Sequence, residues 1–130
     1  MNKPSKTTQI EALLNGQALA LAMKTLGVTD LSGHRYDEVF TVTRRDIDAY
    51  VARHGIPRRA YNGAEGFQCV EEDGAWCVYF AERGGRVDEH RFATETEAHR
   101  KLLDWLLNSA GTGLDFSHRS LLERLLGLFR

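Results

Sequence analysis

The sequence predicts an α+β fold, a three-stranded antiparallel β-meander packed against flanking helices. Three observations lead there. β-branched and aromatic residues cluster between Phe67 and Phe92, and two glycine-bearing turn signals, Glu72-Asp73-Gly74 and Arg83-Gly84-Gly85, divide that span into three. Capped stretches with helically spaced apolar residues stand before and after it. The 130 residues, 42% hydrophobic and 27% charged, suit a single domain, 1–130, with its own core.

Taken in order, Ile10, Leu13, Leu14, Leu19, Leu21 and Met23 recur at three- and four-residue steps and Gly27 follows as a stop. One first helix over Thr8–Leu26 is expected, with residues 1–7 loose ahead of it. Asp30–His34 reads as a loop, and Val39–Val42 as either a brief strand or extended chain. Thr43 with Asp46 resembles a capping box that opens a second helix, with Ile47, Tyr50, Val51 and His54 on one face. Gly55 stops that helix and Pro57 prevents its resumption. A loop follows over 58–66.

Within the meander, a three-residue first turn places Cys69 opposite Cys77 and Phe67 opposite Tyr79. Trp76, Val78 and Phe80 then share the other face, which is assigned to the core. Thr94 and Glu97 open a third helix whose Ala98, Leu102, Trp105 and Leu106 form the stripe expected to cover the sheet. Residues 109–116 read as a small-residue linker to a C-terminal helix, 117–129, carrying Leu121, Leu122, Leu125, Leu126 and Phe129.

Composition and motif spacing then narrow the function. Seventeen Lys and Arg against eighteen Asp and Glu give a net charge of −1, which removes the long-range field of a general nucleic-acid binder. No run of 18 apolar residues exists and the first residues are polar, so neither a membrane span nor a signal peptide is expected. Two cysteines fit a reducing compartment, and the expected location is cytoplasmic. His34, His54, His90, His99 and His118 lack the short spacings that gather a metal, although His90 and His99 could approach across a corner. Cys69 and Cys77 sit mid-strand, away from any helix N-terminus or base, and read as structural thiols paired across the hairpin. No phosphate-loop pattern occurs, because a strand and not a helix follows Gly84-Gly85. Paired carboxylates on turns and caps read as solvated charge. Catalytic residues, metal and cofactor are therefore expected to be absent.

Two features are left. On the non-core sheet face Tyr79 stands beside Glu89 and near Arg91, a mixed aromatic and charged patch of the kind interfaces favour, or else an ordinary half-exposed face. Arg53, His54, Arg58 and Arg59 form the one strongly basic stretch, suited to phosphate or to the C-terminal carbonyls of the second helix.

Asp46-Ile47-Asp48-Ala49-Tyr50-Val51 through His54-Gly55-Ile56-Pro57-Arg58, then Trp76-Cys77-Val78-Tyr79-Phe80-Ala81-Glu82-Arg83-Gly84, and Phe92 through Ala98, carry a resemblance. Over roughly residues 36 to 107 the chain resembles small bacterial immunity proteins found beside polymorphic toxins, including those of contact-dependent growth inhibition. The resemblance implies a cytosolic antidote that binds the C-terminal toxin domain of a neighbouring gene product and blocks its active site, with no chemistry of its own. Against a nuclease-type toxin, exposed Glu71, Glu72, Asp73, Asp88 and Glu89, with Tyr79 and Arg91, are the expected contacts. The alternative is a nucleic-acid- or nucleotide-associated module working through Arg53, Arg58, Arg59 and the sheet aromatics. A small enzyme using Tyr79, Glu82 and a histidine is the third reading.

Overall fold

In the computed structural model of the chain, residues 3–116 are described. Four helices and one sheet follow in the order α1 (Lys6–Leu14), α2 (Ala18–Leu26), α3 (Arg44–His54), β1 (Gly66–Glu72), β2 (Ala75–Glu82), β3 (Gly85–Phe92) and α4 (Glu95–Ser109). The sheet is antiparallel with order β1-β2-β3, so the α+β meander stands as the sequence predicts. The expected C-terminal helix, 117–129, lies outside the described residues.

The first helical stretch is two helices and not one. Asn15 ends α1 by donating its backbone N–H to Glu11 O, and Gly16 takes the left-handed φ of 73° that a side chain disfavours. Gln17 N–H then reaches back to Ala12 O at 2.8 Å, a Schellman closure that reverses the chain. Apolar periodicity runs across such a break unnoticed, because Leu13, Leu14 and Ala18 are buried on both sides of it. Ahead of α1, the Ser5 hydroxyl accepts from Thr8 N–H, so Lys6 and Thr7 belong to the helix and not to a loose segment.

Gln9 explains the conformation of Val39–Val42. It is 1% exposed, and its Oε1 accepts from Thr41 N–H at 2.7 Å and Val42 N–H at 3.2 Å. Its Nε2 donates to Pro4 O and to Thr41 Oγ1. This side chain supplies the partners a neighbouring strand would have supplied, and the segment, which leaves a 3-10 turn at Val39, joins no sheet. The reciprocal Thr43–Asp46 capping box forms as expected, and Gly55 stops α3 with φ 77°.

Both hairpins close through two-residue turns, Asp73-Gly74 and Arg83-Gly84, with all four φ values between 50° and 78°. That is the type I′ geometry, which favours Asp-Gly. The expected three-residue first turn is thus corrected by one residue: Phe67 pairs with Phe80, Cys69 with Val78 and Glu71 with Trp76. Phe67 and Cys69 move to the Trp76 face, which is the core face as assigned, and Cys77 stays on the other. The cysteines are not a cross-strand pair.

Thr94 caps α4, whose Ala98, Leu102, Leu103, Leu106 and Leu107 are buried over the core face. Trp105 lies 5.8 Å from Phe67 and 5.6 Å from His90, ring centre to ring centre. His99 faces Tyr61 and Trp76, apart from the His90 contacts with Trp105 and Phe92. Beyond α4 the expected linker is docked: Phe116 is buried and its carbonyl accepts from Arg44 Nη1 at 2.8 Å. Arg44, itself buried, also pairs with Asp48 and Asp104. Among the described residues, no helix is long and apolar enough to cross a membrane.

Candidate functional site

Because α4 packs on the face of Cys69 and Val78, the opposite face of the sheet carries the remaining alternate residues, among them Glu72, Cys77, Tyr79, Arg86, Glu89 and Arg91. A bulge arranges them. Val78 pairs with His90 and Phe80 with Val87, so Asp88 and Glu89 together oppose Tyr79, with Asp88 at φ 54° absorbing the extra residue. The bulge turns Glu89 and Arg86 toward one point. Arg86 Nη1 donates to Glu89 Oε2 at 2.6 Å and to Glu72 Oε2 at 3.0 Å, and its Nη2 donates to Glu72 Oε1. The guanidinium carbon stands 4.2 Å above the Tyr79 ring centre, a cation–π contact. Arg91 Nη2 reaches Glu72 O at 3.3 Å.

Electrostatics follow the geometry. The Arg86 hydrogen bonds, the largest influence on Glu72, hold its carboxyl below the ordinary value, and the two carboxylates in turn push the guanidinium higher still. Arg86 side-chain exposure of 40% keeps this network in contact with water, so its worth lies in fixing side-chain geometry more than in stability.

Of the expected contacts, the structure brings Glu72, Tyr79, Glu89 and Arg91 together. Glu71 falls on the core-side face opposite Trp76, Asp73 sits in the exposed turn, and Asp88 lies in the bulge 3.1 Å from His90 Nε2. Arg86, the centre of the network, was absent from the expected set. No local signal marks it: the register sets Glu72 opposite Ala75 and Arg86 opposite Ala81, at opposite ends of β2, and only their long side chains meet.

Glu72, Cys77 and Glu89 place their ligand atoms within 4.8 Å of one another, the one such group among the described residues. The donor set suits a borderline transition metal. The positive charge there is supplied by Arg86, bonded to both carboxylates, so a metal would compete with it. The thiols are shielded: Cys77 is 0% and Cys69 3% exposed, and burial, first among its causes, pushes the Cys69 thiol up to about 11. Since the thiolate is the nucleophile, the native protein at pH 8 should resist iodoacetamide at both positions, whereas unfolded protein gains two adducts by mass spectrometry. Rapid native labelling of Cys69 would contradict this burial.

Arg53 and His54 occupy the last turn of α3, and Arg58 and Arg59 a 3-10 turn over Arg58–Ala60. None of the three arginines has an ion-pair or hydrogen-bond partner among the described residues, so they do not cap the helix carbonyls. Comparison with family models, curated proteins and solved structures finds no match for this chain.

Proposed function

We propose that this protein is an immunity protein that acts in the cytoplasm, binding a cognate toxin domain through the open sheet face and covering the toxin's active site. The observation that carries the reading is the Arg86–Tyr79 pair, held by Glu72 and Glu89 on the sheet face away from α4. Tyr and Arg are the residue types that dominate interface energies, and here their rotamers are fixed before any partner arrives. Binding through such an anchor loses less side-chain entropy than recruiting a free arginine. The exposed turn carboxylate Asp73 extends the patch and suits a basic toxin groove, such as the substrate path of a nuclease, whereas Asp88 turns to His90 on the α4 side. The resemblance of residues 36 to 107 to immunity proteins supplies the identity of the partner, the C-terminal toxin domain encoded beside this chain.

Isothermal calorimetry between the two purified proteins tests it. The expected result is a 1:1 complex with nanomolar or tighter affinity, about −12 kcal/mol, that abolishes the toxin's activity. Absence of heat at micromolar concentrations, together with undiminished toxin activity in the mixture, would overturn the proposal.

A further inference from the structure

A second site lies away from the sheet. The C-terminal end of α1, the last turns of α3 and the 3-10 turn after it enclose a groove of about 390 Å³, lined by Glu11, Asn15, Tyr50, His54, Arg58 and Arg59 together with Gly55 and Pro57. Its shape follows from the chain: Gly55 turns the backbone out of α3, buried Ile56 fixes the turn to the core, and Pro57 starts the 3-10 turn. Arg58 and Arg59 are thereby brought beside α1.

Three properties of the lining restrict what fits. Arg58 and Arg59 are exposed and, among the described residues, without a partner; two free planar guanidinium forks match a phosphate. Tyr50 and His54 meet with ring centres 4.6 Å apart and planes tilted by 41°, an aromatic wall for a flat ring or a sugar face. Asn15 Nδ2 donates to Glu11 O at 2.9 Å, while its Oδ1 is buried with no donor. That oxygen is closed to the groove, so the donors of a ligand meet the exposed Glu11 carboxylate and the carbonyl ends of two helices beside it. The groove is therefore bipolar, and its volume is that of a small organic molecule and not of a bare ion.

We infer that this groove binds a nucleoside 5′-monophosphate, free or as the phosphorylated end of a nucleic-acid chain, with the phosphate on Arg58 and Arg59 and the ribose hydroxyls on the Glu11 carboxylate. The inference is independent of the sheet-face reading, since no sheet residue lines the groove.

Calorimetry and NMR titration of the full chain test it with AMP, adenosine, inorganic phosphate and a 5′-phosphorylated trinucleotide. AMP is expected to bind with Kd of roughly 10–100 μM, the range ligand efficiencies give for a molecule of its size. Adenosine and phosphate alone should each bind at least about tenfold more weakly. The double substitution Arg58→Ala and Arg59→Ala should abolish measurable AMP binding while the melting temperature stays at the wild-type value, because both side chains are exposed and unpartnered. A trinucleotide that binds more tightly than AMP identifies a nucleic-acid end as the ligand, and equal affinity identifies the free nucleotide. No titration shifts with AMP up to millimolar concentration, phosphate binding as tightly as AMP, or a double variant that keeps AMP affinity would each overturn the inference.

Discussion

Replacing Gln9 with Leu is expected to destabilise the fold by about 3–4 kcal/mol, several times the cost of an average substitution. Leucine has nearly the volume of glutamine and is a good helix former, so neither a cavity nor a propensity change accounts for such a loss. The loss comes from the partners left behind. Thr41 N–H, Val42 N–H and Pro4 O depend on the Gln9 amide, and Val42 is 6% exposed, so water cannot replace the bond to its N–H without opening the packing. Each buried backbone group stranded in this way costs about 1–3 kcal/mol. Urea denaturation with tryptophan fluorescence would measure the shift. A Gln9→Leu protein that melts like wild type would mean that the extended segment holds its place through Val39, Phe40 and Val42 packing alone. Gln9→Glu makes a useful companion: it keeps the acceptor for both N–H groups but loses the donor to Pro4 O, and should lose less than Leu at pH 7 only if the two acceptor bonds outweigh the burial of a charge.

Gln9 also shows where sequence reading ran out. It stands four residues before Leu13, so it belongs to the buried stripe of α1, and a polar residue in that stripe is a visible anomaly. What it bonds to lies 32 residues away in an irregular segment, and no local rule reports that. The Thr43–Asp46 capping box, the Thr94 cap, the left-handed glycine after α2 and the turns of the meander were legible because each is specified by residues within four positions of one another, although the expected Thr94–Glu97 box closes only through its Thr94 half. The split of the first helix was not, since Gly16 competes with an apolar pattern that continues through it. The first hairpin shows how small a misreading suffices. Counting Glu72 into the turn shifts β1 by one residue, which puts Glu71 in place of Glu72 on the Tyr79 face and falsely pairs two cysteines that lie on opposite faces. Arg44 was half legible: Asp48 stands at the helical spacing of a salt bridge, while Asp104 and the Phe116 carbonyl come from the far end of the chain.

Arg86→Ala should weaken the complex with the toxin domain roughly thirty- to hundredfold while leaving the melting transition of the free protein close to wild type. The two halves of this expectation have one cause. Arg86 lies on the solvent side of the sheet and its partners Glu72 and Glu89 are themselves partly exposed, so losing the network costs the fold little. In a complex the same guanidinium is desolvated at the centre of a Tyr-lined patch, the position in which a single arginine commonly carries a large share of the binding energy. Removing it also releases Glu72 and Glu89, two like charges that Arg86 now holds together, and lets Tyr79 rotate. The loss should therefore be concentrated in the dissociation rate, because the anchor acts after encounter, whereas a rim change such as Asp73→Lys should act on the association rate and on its salt dependence. Arg86→Lys separates charge from shape: it keeps the positive charge but cannot bridge both carboxylates while lying flat on Tyr79, and should recover only a small part of the lost affinity. Surface plasmon resonance on the three variants reads both rates. If Arg86→Ala binds the toxin as tightly as wild type, the open sheet face is not the interface, and the contact must be sought elsewhere on the molecule.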